Sequence, residues 1–236
     1  MARGRLLALA LTTALVSACA TPPTAIDQAG RLEVLGPGAG FSPDAPPADW
    51  VIEGAPGPGR LEVGDVQGIR ALRILNGDER FTLVRRTRAI LLAMPYLSWA
   101  WSMDIQRSGP HPVHLVVGFD GGNPDGQRGG GSFSWFGSSL PAHDRLLKIA
   151  WGESALQRGS LIPTSGEDPP VPRYTVRGGR ENAGFWRLET VDLSRLYSLA
   201  WPDDDMGRVN VSFIGISADG SRPPAAANIS GILLSR

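Results

Sequence analysis

The stretch from Leu97 to Asp120, LSWAWSMDIQRSGPHPVHLVVGFD, limits what this chain can fold into more than any other. Leu97, Trp99, Trp101, Met103 and Ile105 alternate with Ser98, Ala100, Ser102, Asp104 and Gln106. Side chains two apart on an extended strand share a face, so one face here is apolar and the other polar. Ser108, Gly109 and Pro110 supply turn chemistry, and Val113, Leu115, Val117 and Phe119 open a second alternating run. The pattern reads as two adjacent antiparallel strands at the centre of a β-sandwich, with a second sheet covering their apolar faces.

Strand signals recur on both sides of this pair. Arg31 to Leu35, Gly68 to Leu75, Phe81 to Val84, Ala89 to Leu92, Ser132 to Phe136, Leu146 to Trp151, Tyr174 to Arg177, Phe185 to Val191, Val209 to Ser217 and Ile229 to Leu234 all fit. The basic residues Arg85, Arg86 and Arg88 separate two of these segments. A short helix fits Leu193 to Leu199, where Leu193, Leu196 and Tyr197 share a face. No long amphipathic helix lies between strands, which excludes a parallel α/β sheet. Thirty glycines, twenty prolines and seven tryptophans suit a turn-rich, all-β antiparallel sandwich with one short helix. The 23 basic and 23 acidic residues balance, giving no electrostatic case for nucleic acid or an anionic membrane surface. Lys148 is the only lysine, which reads as coding bias and not as function.

The N-terminus carries an address. Arg3 and Arg5 precede an apolar run, Leu6 to Val16, that is short for a membrane span. It ends in Val16-Ser17-Ala18-Cys19, which resembles the lipobox of bacterial lipoproteins. That resemblance implies cleavage before Cys19 and lipid attachment to its thiol, because small side chains fit the peptidase groove and the thiol is the acceptor. Cys19 is the only cysteine, so no intramolecular disulfide forms. Ala20 follows it in place of an inner-membrane retention aspartate, which implies sorting to the outer membrane, facing the periplasm. Residues 1–18 thus read as signal peptide, 19–30 as a lipidated tether and 31–236 as the sandwich domain. An ordinary secretory signal with an incidental cysteine is the competing reading.

Farther along, PYLSWAWSMD, HLVVGFD, SFSWF, FWRLETVDLSRLY, VNVSFIGISADG and NISGILLS follow one another in order. This order resembles a bacterial envelope family, domain of unknown function 3047, over Phe81 to Arg236. The resemblance implies a jelly-roll-like sandwich similar to carbohydrate-binding modules and brings no settled activity with it. Members tend to carry paired acidic residues before the second central strand, where this chain has Gly109-Pro110-His111-Pro112.

Several constellations bear on chemistry. Gly215-Ile216-Ser217-Ala218-Asp219 lacks the last glycine of a nucleophile elbow, so a serine hydrolase is rejected. His111 and His114 are three apart and would face opposite sides of a strand. Asp120 and Asp125 in one loop, and Asp203 and Asp205 in another, offer oxygen ligands for Ca2+; solvated acidic turns are the alternative. Asp104, Glu153 and Glu189 fall singly, and no spacing selects a glycosidase pair among them. Trp99 and Trp101 read as core. Trp135, Trp151, Trp186 and Trp201 lie near strand ends or loops, where one or two can stack on a sugar ring, although burial is the commoner fate of tryptophan. Arg85, Arg86 and Arg88 fit either an acidic glycan or headgroup, or a solvated edge strand.

The combined expectation is a lipid-anchored envelope protein, attached to the membrane through Cys19, that binds a glycan or a partner protein without catalysis. A hydrolase acting on envelope polymers is the alternative.

Overall fold

The computed structural model describes residues 26–27, 29–36, 46–106, 108–123, 139–164 and 170–236. Cys19, Asp125, Trp135 and the expected strand Ser132 to Phe136 lie outside these residues. Two sheets face each other across one apolar core. The first holds β1 (Arg31–Leu35), β3 (Leu61–Val66), β4 (Ile69–Leu75), β6 (Tyr96–Met103), β11 (Arg187–Asp192) and β13 (Ala226–Ser235). Its order is β11-β6-β13-β4-β3, and β1 also pairs with β13. The second holds β2 (Trp50–Glu53), β5 (Phe81–Ile90), β7 (Val113–Asp120), β8 (Arg145–Gly152), β9 (Leu161–Pro163), β10 (Pro172–Gly178) and β12 (Asn210–Ala218). Its order is β2-β5-β12-β7-β8-β10-β9, antiparallel throughout except for β8 with β10. The fold is an all-β, jelly-roll-like sandwich with one short helix.

The alternation of the central stretch places its side chains correctly. Leu97, Trp99, Trp101 and Met103 of β6 are fully buried, as are Val113, Leu115, Val117 and Phe119 of β7. The Trp99 and Trp101 rings meet edge to face at 5.3 Å, and Trp101 meets Trp151 at 5.8 Å. Burying such side chains stabilises the fold by about 1.5–3 kcal/mol each. The two strands do not pair, however. β6 lies between β11 and β13 in the six-stranded sheet, and β7 lies between β12 and β8 in the seven-stranded one. The turn-rich segment between them carries the chain from one sheet to the other, and Ile105, past the end of β6, is 61% exposed.

The basic run does not interrupt β5, which is one ten-residue strand. Arg85 is held by the Asp49 carboxylate at 2.5 Å and donates to the carbonyls of Glu33 and Val34 at 2.7 and 2.9 Å. Its charge and donors are met, so the strand continues. A second ion pair joins the sheets. Arg177 of β10 reaches Glu189 of β11, whose side chain is 3% exposed and which stands opposite Trp99. The helix α1 (Leu193–Ala200) follows β11 directly, with the Asp192 carboxylate accepting from the Arg195 backbone N–H at 3.1 Å. Leu193, Leu196 and Tyr197 form its buried face. The Tyr197 hydroxyl donates to Asp204 at 2.6 Å, and Arg145 donates twice to the same carboxylate at 2.8 Å.

Candidate functional site

Every residue of β7 from Val113 to Phe119 is buried. A strand with one core face would alternate, so this one is covered on both sides. Val113, Leu115, Val117 and Phe119 belong to the main core. His114, Val116 and Gly118 point to the outer face of the seven-stranded sheet. The register carries that face across four strands: Thr82, Ser217 and His114 form one row; Val84, Gly215, Val116 and Lys148 a second; Arg86, Phe213, Gly118 and Leu146 a third.

Val84, Val116 and Phe213 form a separate apolar cluster here, with Val51, Leu140 and Leu146 packed around it. Leu140 belongs to the segment 139–144, which crosses this face. Ser139 anchors it to β2, its backbone N–H donating to Glu53 at 3.0 Å, and the His143 ring stands edge-on to Phe213 at 5.1 Å. Polar groups surround the apolar patch. Thr82 and Ser217 share a hydrogen bond of 3.0 Å. Arg80 pairs with Asp219 at 2.9 Å, and the same carboxylate lies 3.8 Å from His114 Nδ1. Lys148, the sole lysine of the chain, is 7% exposed, and lysine is rarely so buried. Burial lowers the His114 pKa to about 4, with Lys148 and Arg80 adding to the shift and Asp219 opposing it. His114 is therefore neutral at neutral pH. The Nε2 atoms of His114 and His143 are buried without a hydrogen-bond partner among the described residues.

Two clefts flank the crossing segment. The smaller, about 60 Å³, is lined by Glu53, Arg80, Thr82, His143, Lys148 and Ser217, with Val116, Leu140 and Leu146 as its apolar wall. The larger, about 490 Å³, lies where the register shifts, Ser212 of β12 bulging against β7 and facing both Thr87 and Arg88 of β5, and is lined by Arg86, Arg88, Asp120, Asn210, Pro141 and Ala142. Bulges redirect side chains and recur beside binding sites. A third cleft of about 180 Å³ opens at one end of the sandwich, among Asp104, Gln106, Trp151, Glu153 and Arg180. Beside it His111 is buried, its pKa lowered to about 4 chiefly by burial and raised in opposition by the Val113 backbone contact and Asp104.

The tryptophans singled out from sequence pack against different elements. Trp151 is 4% exposed and lines the end cleft. Trp186 is half-buried, its indole N–H donating to the Val66 carbonyl at 3.1 Å. Trp201 packs on Tyr197 and Phe119, with the Arg145 guanidinium 5.8 Å above its ring. Among the acidic candidates, Asp120 lines the larger cleft. Asp203 is exposed, Asp204 is taken by Arg145 and Tyr197, and Asp205 caps the turn at Gly207 with a 3.1 Å bond. Among the described residues no three His, Cys, Asp or Glu side chains stand together to hold a metal ion. Sequence reasoning missed the outer-face group of His114, Lys148 and Ser217. Two signals pointed to it: the solitary lysine, and a strand, VHLVVGF, with almost no polar face.

No family model and no curated protein matches the chain. Among solved structures it is similar to the family 11 carbohydrate-binding module from Clostridium thermocellum in complex with a β-1,3-1,4-mixed-linked tetrasaccharide. The TM-score is 0.39 and the identity 8%, over 89% of this chain and 97% of that one. It is also similar to the xyloglucanase domain of NopAA, a type three effector from Sinorhizobium fredii, in complex with cellobiose. There the TM-score is 0.41 and the identity 11%, over 89% and 96% of the two chains. A native family 12 xyloglucanase from Bacillus licheniformis gives a TM-score of 0.40 and 10% identity, over 91% and 98%.

Proposed function

We propose that this protein is a glycan-binding module of the bacterial envelope, tethered by a lipid on Cys19 and binding through the outer face of its seven-stranded sheet. One observation carries the reading: a second covered face on β7, flanked by clefts that combine apolar walls with Lys148, His143, Thr82, Ser217, Arg86 and Arg88. Sugar rings present apolar C–H faces and a rim of hydroxyls, and they need both kinds of surface at once. The larger cleft falls within the usual size of ligand sites, and the smaller admits a single substituent. The buried Nε2 of His143, which lines the smaller cleft, leaves hydrogen-bonding capacity that a hydroxyl can use. The likeness of its motifs to domain of unknown function 3047 belongs to the same proposal, as does an outer-membrane location facing the periplasm.

The test is calorimetric titration of the purified protein with neutral and acidic envelope oligosaccharides, repeated with Lys148→Met and Ser217→Val. Binding of one glycan class, weakened about tenfold or more in variants that keep their β-sheet circular dichroism, supports the proposal. No binding by any class, with a protein captured stably on this face, replaces it with a protein-docking role. Cys19→Ser is expected to release the protein from the membrane fraction and to end incorporation of labelled palmitate.

A further inference from the structure

We infer that the larger cleft of the outer face takes an acidic sugar, whose carboxylate is gripped by Arg86 and Arg88; this deepens the glycan-binding reading and rests on it. Both arginines are exposed, and they stand two apart on β5, on the same side of the strand. Their Cα atoms are then about 7 Å apart, close enough for two guanidinium forks to flank one carboxylate. Among the described residues, neither guanidinium has a hydrogen bond or ion pair. The arginines around them differ: Arg80 is paired with Asp219, Arg85 with Asp49 and Arg145 with Asp204. In a chain with no net charge, two uncommitted cations at one cleft mark a place where negative charge is to arrive.

The far wall sets the rest of the ligand. Asp120 of β7 and Asn210 of β12 stand opposite each other in register and line the same cleft. Asp120 lies two strands from β5, about 10 Å across the sheet, in the row of Asn210 and Ile90, one row beyond Arg88. Its carboxylate accepts hydroxyl hydrogens and repels a second anion. A polyphosphate or a densely sulfated chain is therefore a poor fit. A sugar ring with one carboxylate and free hydroxyls, as in a uronic acid, matches both walls.

The experiment titrates the protein with trimers of galacturonic, glucuronic and mannuronic acid and with their methyl esters. At least one acid is expected to bind about tenfold or more tightly than its ester, with affinity falling as salt rises. Arg86→Gln and Arg88→Gln are each expected to weaken that acid about tenfold and its ester much less, so that the preference for acid over ester falls. Equal affinity for acid and ester overturns the inference while leaving a neutral-glycan reading intact. Absence of binding by these trimers and by every neutral glycan overturns both. If the two variants lose sedimentation with phosphatidylglycerol vesicles while no acid trimer binds, the anion belongs to a lipid surface and the inference fails.

Discussion

The ring of Phe213 lies over the backbone of Gly118, so close that a Cβ added at Gly118 would fall 2.2 Å from the ring's Cε1. The two residues are cross-strand partners on the outer face, and the ring fills the space that a side chain on β7 would otherwise take. Gly118→Ala must push Phe213 off its site. Overpacking of this kind costs about 1–3 kcal/mol, which lowers the melting temperature by several degrees in a domain of this size. In a Phe213→Ala background the same substitution is expected to cost much less, and a double-mutant cycle by thermal unfolding reads the difference. Equal costs in the two backgrounds would show that the contact is not what excludes a side chain.

Acid should destabilise the protein well before its carboxylates titrate. His111 and His114 have folded pKa values of about 4, against an ordinary value of 6.5. The unfolded chain therefore takes up protons first as pH falls. Stability is complete above about 6.5 and is lost between there and about 4, by about 3 kcal/mol for each histidine. Melting temperature measured from pH 7.5 to 4.5 should decline across this window, and His114→Gln should flatten the decline. An unchanged slope in that variant would show that His114 takes no part.

Glu189 is buried opposite Trp99 and is met by Arg177 from the other sheet. Removing one member of such a pair strands the other charge at low dielectric. Glu189→Ala is expected to cost about 3 kcal/mol, and the paired change Arg177→Met with Glu189→Leu much less. Denaturant midpoints of the three variants are the measurement, and a double variant as unstable as Glu189→Ala would contradict the charge argument.

Tyr197 donates to a carboxylate that Arg145 already neutralises. Tyr197→Phe keeps the ring against Phe119 and removes only the hydroxyl. The loss is expected to be about 1.5–3 kcal/mol, as for hydrogen bonds to charged groups, and chemical denaturation reads it directly. A neutral result would mean that water replaces the hydroxyl beside Asp204.

What could be read in advance was the face of each strand, and what could not was its neighbour. Alternation placed Leu97, Trp99, Trp101 and Met103 in the core because side-chain direction is a local property of an extended backbone. It had no means of assigning β6 and β7 to different sheets, since pairing depends on residues far away in sequence. The run Arg85, Arg86 and Arg88 read as a break because the partners that satisfy Arg85, at Asp49, Glu33 and Val34, lie 36, 52 and 51 residues earlier. The outer face was hidden for a related reason. His114 and Gly118 look like the weak side of a strand until β12 and β8 set Ser217, Phe213 and Lys148 beside them. Lys148 was visible as an oddity of composition, but only burial turns an unusual residue into a candidate ligand group.

The last two strands in this order, β12 and β13, occupy interior positions in the two sheets. β12 stands between β5 and β7, while β13 joins β6 to β4 and receives β1 along the rest of its length. The seven-stranded sheet stays divided until β12 is in place, and the six-stranded sheet until β13 is. Arg31 at the start of β1 pairs with Ser235 at the end of β13. Such long-range closure slows folding. A chain held this way stays open until those strands arrive, which lengthens the time during which unpaired strand edges are exposed.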